Sequence, residues 1–126
     1  MKEPVWVFRE VVLMLHEQSL AQFGGSAGVR AEGFLDSGLG RPQHRFAYGK
    51  PTLFDLAASY AFGLVKNHPF IDGNKRVGAV AAIVFLLVND QGVAATNAEL
   101  EALVLSVARG QSGKSQIAQF LRDHAV

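Results

Sequence analysis

The stretch His68-Pro69-Phe70-Ile71-Asp72-Gly73-Asn74-Lys75-Arg76 runs directly into Val77-Gly78-Ala79-Val80-Ala81-Ala82-Ile83-Val84-Phe85-Leu86-Leu87-Val88. A dense polar cluster thus precedes the most apolar run of the chain, in which no side chain is charged or a strong hydrogen-bonding group. The pattern predicts a loop that presents a histidine, followed by the N-terminus of a buried helix. Such an end leaves its first backbone N–H groups unpaired and carries partial positive charge from the aligned peptide dipoles. A phosphate supplies what it lacks, so an anion site is expected there.

The residue types fit that chemistry. Gly73 lets a ligand approach the backbone without a Cβ in the way. Asn74 is a preferred N-cap type and has an amide that can turn to a ligand. Lys75 and Arg76 place two cations at the helix end where the dipole disfavours them, which requires either solvent or an anion beside them. Asp72 is suited to Mg²⁺, which usually takes one or two carboxylates together with substrate phosphates. His68 is the side chain best suited to accept a proton near neutral pH. Each feature has an ordinary reading: a loop histidine, a Gly-Asn turn, a solvated Lys-Arg pair. Their concurrence ahead of one buried helix is what singles out the stretch.

His68 to Arg76 resembles the signature of the Fic superfamily, H-P-F-x-(D/E)-G-N-G-R-x-x-R. It is closer to the death-on-curing (Doc) toxin branch, in which lysine replaces the third glycine and the second arginine is missing. Lys75 occupies that glycine position, and Ala79 stands where the second arginine would fall. The likeness extends to Leu15-His16 through Phe23-Gly24-Gly25, to Arg41-Pro42-Gln43 through Tyr48-Gly49, and to Phe85-Leu86 through Gly92.

The resemblance implies a single Fic/Doc domain over residues 1–126, acting as the toxin of a type II toxin–antitoxin module. Toxins of this branch move phosphate from ATP to a serine or threonine hydroxyl of elongation factor Tu and arrest translation. Most other Fic proteins transfer AMP instead. The lysine and the missing arginine favour the kinase reading over AMP transfer, and a non-catalytic binding module is the alternative from another class. On the kinase reading His68 is catalytic. Gly73, Asn74, Lys75 and Arg76 bind the nucleotide phosphates and Asp72 holds Mg²⁺. Lys66, just before the stretch, is a candidate phosphate contact, its other reading being a lysine that complements the dipole at a helix C-terminus. The expected cofactors are ATP and Mg²⁺. The expected partners are a cognate antitoxin, with a C-terminal segment that folds on the toxin, and the protein substrate. The inhibitory pattern (S/T)-x-x-x-E-(G/N) is missing from the chain, which is consistent with control by a separate antitoxin.

Composition agrees with one small domain. A chain of 126 residues, 49% hydrophobic, can build a single core. The net charge of +1 gives no bulk field for nucleic acid or membrane. With no cysteine, there is no disulfide, thiolate site or thiol nucleophile. The N-terminus lacks a signal-peptide pattern, and Val77–Val88 is shorter than the about 20 residues a membrane-spanning helix needs, so a cytoplasmic protein is expected.

Helical periodicity dominates, and the expected class is all-α, a bundle of about six helices around a central buried one. Val5–Phe23 reads as the first helix, with Phe8, Val11, Val12, Leu15 and Leu20 inward. Arg30–Ser37 reads as a short helix, which Gly38, Gly40 and Pro42 should interrupt before a second piece at Gln43–Tyr48. The family resemblance makes Arg41–Lys50 a candidate flap for positioning a target, its other reading being an ordinary connector. Pro51–Asn67 is a helix capped by Thr52 with Asp55, and Gly63 marks close packing in it. Asn74–Asp90 is the expected central helix. Thr96 with Glu99 opens the next, and Ser112 or Ser115 opens the last. Gly110-Gln111-Ser112-Gly113-Lys114-Ser115 resembles a phosphate-binding P-loop, but it follows a helix pattern rather than a strand, which argues against that role.

Overall fold

The computed structural model describes residues 2–126. It contains six helices: α1 Arg9–Phe23, α2 Glu32–Ala47, α3 Leu53–Asn67, α4 Asn74–Val88, α5 Asn97–Ala108 and α6 Lys114–Asp123. Strand pairing among the described residues is limited to two isolated bridges, Val29 with Phe70 and Val93 with Ala125. The architecture is the expected all-α bundle. The helix at its centre is α3, which packs against α2, α4, α5 and α6, whereas α4 packs against α1, α3 and α5. Val80, Leu87 and Val88 of α4 remain exposed, so its apolar sequence is not matched by burial all round.

Two capping boxes fix the starts of α3 and α5. Thr52 Oγ1 accepts Asp55 N–H at 3.2 Å while Asp55 accepts Thr52 N–H at 2.8 Å. Thr96 and Glu99 repeat the exchange at 3.1 and 2.9 Å. Neither serine proposed for α6 caps it. Gly113 is its N-cap, with its N–H bonded to Gln116, and the Ser112 hydroxyl is bonded to that of Ser106 at 2.6 Å. The helical residues of α5 precede the P-loop-like stretch, which excludes that motif's strand-to-helix context.

The first helix begins later than its periodicity suggests. Tyr60 Oη accepts Val7 N–H at 2.9 Å and donates to Val7 O at 3.2 Å, and Asn89 makes the same double exchange with Val5 at 2.8 and 2.9 Å. Side chains on α3 and just after α4 thus satisfy backbone groups that a helix would otherwise use. Burial pushes the Tyr60 hydroxyl up to a pKa of about 12, so it stays protonated as the exchange requires. The buried line of α1 is Val12, His16 and Ser19 rather than the all-apolar stripe expected.

The expected break in α2 does not occur. Gly38 meets α3 at Gly63, where a Cβ on Gly63 would fall 3.0 Å from the Gly38 carbonyl oxygen and 3.2 Å from its Cα. That carbonyl is the one Pro42 leaves without its helical donor, so one feature explains both residues. Gly38 and Gly63 serve close helix approach, as foreseen for Gly63, and α2 runs unbroken past Pro42.

Candidate active site

The stretch His68–Arg76 joins the C-terminus of α3 to the N-terminus of α4, and three contacts hold it. Asn74 is the first: its side chain is folded back so that Oδ1 accepts Phe70 N–H at 2.9 Å and Nδ2 donates to Phe70 O at 3.0 Å. At 3% exposure it is a buried clamp on the loop. Gly73, not Asn74, is the N-cap residue, with φ of 80°, a left-handed conformation that favours glycine.

The segment 28–31 is the second. Pro69 O accepts the N–H groups of Arg30 and Ala31 at 2.7 and 3.1 Å, and Ile71 N–H reaches Gly28 O at 3.1 Å. The Arg30 guanidinium donates to His68 O at 2.9 Å and Asn67 O at 3.3 Å, closing carbonyls that the end of α3 leaves unpaired. The sequence reading puts Arg30 at the start of a short helix and gives it no role at the cleft. Arg30 lies just before α2, and its partners are 38 and 37 positions away, so nothing local signals them.

His16 is the third contact. It is 4% exposed, stacks on Phe70 with ring centroids 3.8 Å apart, and donates from Nε2 to Asp72 O at 2.7 Å. Phe70 is fully buried and supports the loop.

These contacts bring most of the proposed site residues to one cleft. His68, Asp72, Gly73, Asn74, Lys75 and Arg76 line a cavity of about 440 Å³ bounded by α1, the start of α4 and α5. Lys66 is exposed on α3 and is not among its lining residues, so the structure gives no support for a phosphate contact from it. Arg41–Lys50 is also separate: it forms the end of α2 and the turn beyond, and lines a different cleft.

His68 is exposed and terminates α3 in a left-handed conformation, φ 51° and ψ 54°. That backbone geometry turns its side chain out of the helix into the cleft. No side chain caps α4, in contrast to α3 and α5. Its first turn carries no acidic residue, and among the described residues neither Lys75 nor Arg76 pairs with a carboxylate. The Arg76 guanidinium lies over the Phe23 ring of α1, 4.1 Å from its centroid. Ala79, where the longer signature has its second arginine, lines the cleft as a buried small residue.

Asp72 accepts Gly73 N–H at 3.0 Å through Oδ1 and Ser26 N–H at 3.3 Å through Oδ2. No group of three acidic, histidine or cysteine side chains that could hold a metal exists among the described residues. Asp72 and Glu101 are the two carboxylates that line the cleft.

The model of the Fic/DOC family matches residues 6–86, and the chain belongs to that family. It is similar to "Protein kinase doc" of Escherichia phage P1, 34% identical over 114 residues and 90% of each chain. It is also similar to "Toxin Doc" of Mycolicibacterium smegmatis, 43% identical over 76 residues and 58% of each chain. No helix among the described residues is long and apolar enough to cross a membrane.

Proposed function

We propose that this chain is the toxin of a toxin–antitoxin pair and transfers the γ-phosphate of ATP to a serine or threonine hydroxyl of a translation factor, with elongation factor Tu the expected target. The observation that carries the reading is the shared cleft of His68 and the uncapped, doubly cationic start of α4. The relatives named as a kinase and as a toxin support it. In the reaction the target oxygen forms a bond to the γ-phosphorus, the bond to the ADP oxygen breaks, and His68 takes the hydroxyl proton. The first-turn amides of α4 with Lys75 and Arg76 hold the phosphates and offset the charge that builds up on them. Asp72 is the residue that would hold Mg²⁺, which supplies further neutralisation of phosphate charge when bound. Exposure of His68 suits a protein substrate, whose hydroxyl must reach it from outside.

Lys75 favours phosphate over AMP transfer, because it puts a charged side chain where a glycine would leave bare amides for an inner phosphate. Ala79 supports the same choice, since it offers no cation for the far end of a triphosphate. The apolar half of the cleft, with Phe23, Val80, Leu100 and Leu105, offers a seat for a C-terminal segment of the antitoxin.

The test is incubation with elongation factor Tu, Mg²⁺ and ATP labelled at either the α or the γ position. Transfer of the γ label alone supports the reading. Transfer of the α label replaces it with AMP transfer, and no transfer of either label removes elongation factor Tu as target.

A further inference from the structure

A second cleft opens between the C-terminal half of α2 and the start of α6, with α3 as its floor. Its volume is about 810 Å³, within the roughly 300–1,000 Å³ of small-molecule sites, and it shares no lining residue with the His68 cleft. Arg41, Arg45, Lys50 and Lys114 line it, against Asp55 as the one lining carboxylate.

That carboxylate is already engaged. One Asp55 oxygen accepts Thr52 N–H in the α3 cap, and the other stands 3.8 Å from Arg45. Arg41 donates to a neutral partner, Asn67 Oδ1, at 3.0 Å. The Lys114 ammonium sits 5.5 Å above the Phe62 ring. Burial first, and then the nearby charges of Arg41 and Arg45, hold its pKa below the ordinary lysine value. Cations close enough to repel one another across a concave surface define a place for a multiply charged anion. At the rim Tyr48 is 82% exposed, its ring centroid 4.7 Å from that of His44.

We propose that this cleft binds a phosphorylated nucleotide unit, with its phosphate among Arg41, Arg45 and Lys114 and its base stacked on Tyr48. A phosphate concentrates its charge at one point and matches guanidinium forks. An exposed aromatic face beside such a cluster is the platform that bases use. An acidic peptide would spread its charges along a chain and leave Tyr48 without a partner. The overall charge of +1 hides this cluster, which is local. The unit has the same chemistry as a free nucleotide or as the 5′ end of a strand. The inference does not depend on the reaction proposed for the His68 cleft.

The experiment is calorimetric titration of the full chain carrying Lys75→Glu and Arg76→Glu, which removes the cations of the His68 cleft. The probes are ADP, pyrophosphate, a 5′-phosphorylated tetraadenylate and hexaglutamate. ADP or the tetranucleotide is expected to bind at one site. Adding Arg45→Glu with Lys114→Glu should weaken that binding by about tenfold or more. Tyr48→Ala should weaken ADP by about fivefold or more and leave pyrophosphate unchanged. Tighter tetranucleotide binding assigns the strand end, and equal or weaker binding assigns the free nucleotide. If the reversal variant misfolds by circular dichroism, Arg45→Gln with Lys114→Gln takes its place. Failure of both nucleotide probes to bind, indifference to the charge changes, or tighter binding of hexaglutamate overturns the proposal.

Discussion

His16 donates its Nε2 hydrogen to the backbone carbonyl of Asp72 at 2.7 Å, across 56 positions of sequence. A carbonyl only accepts, so Nε2 carries the proton in the folded protein. With its face on Phe70, this one side chain ties α1 to the loop that presents the cleft residues. His16→Ala should lower unfolding stability by about 2 kcal/mol, from the lost stack and an unpartnered buried carbonyl. The urea midpoint measures it. Transfer activity should fall as well, because the loop loses an anchor directly beside Gly73.

His68→Ala tests the chemistry without touching the packing, since the imidazole is exposed. Transfer should fall by about 10²–10⁴-fold, the usual contribution of a positioned general base. The circular dichroism spectrum should not change. Wild-type turnover in this variant would remove His68 from the mechanism.

Arg30 acts through the backbone of the cleft loop. Arg30→Ala should cost about 1 kcal/mol in thermal or urea unfolding, a modest figure because the guanidinium is partly solvated. Arg30→Lys should recover part of this, having the charge but not the fork that spans His68 O and Asn67 O. An alanine variant as stable as the parent would show that these bonds count for nothing.

A pair that joins the start of α5 to the end of α6 gives a pH signature. His124 Nδ1 donates to Phe120 O at 2.7 Å and Nε2 donates to Glu99 at 2.9 Å, so both nitrogens carry protons. The Phe120 carbonyl first, then Glu99, raises the His124 pKa above its ordinary 6.5. The Thr96 backbone N–H first, then His124, lowers that of Glu99 below 4.5. A raised histidine stabilises fully below its unfolded pKa and loses that effect as pH rises through the folded value. A lowered glutamate stabilises above its unfolded pKa and loses that effect as pH falls. The pair therefore contributes most between about pH 4.5 and 6.5. Melting temperatures should decline from pH 6 to pH 8.5, and His124→Gln should flatten that decline.

Sequence alone revealed what is local. The boxes at Thr52 and Thr96 are three-residue patterns whose partners lie within one turn, and both form. The loop-to-helix step at Gly73-Asn74 is likewise a short-range change of composition. What it concealed depends on distant partners. Val5–Val7 has helical periodicity yet is held extended by Tyr60 and Asn89, neither of which is near it in sequence. Gly38 and Pro42 look like breakers until Gly63 is seen against them. In the cleft, the Asn74 residue type suits both a helix cap and an amide turned to a ligand, but its side chain is bonded to Phe70 instead. Arg30 and His16 could be found only by folding the chain.

The backbone at position 68 has a further implication for selection. A left-handed helix terminus is most comfortable for glycine, and a histidine there holds its pose at some energetic disadvantage. Durability and chemistry thus ask for different side chains at one point. A screen that rewarded only heat resistance would be expected to drift toward His68→Gly and enrich hardy molecules that, on the proposed mechanism, lack the proton acceptor.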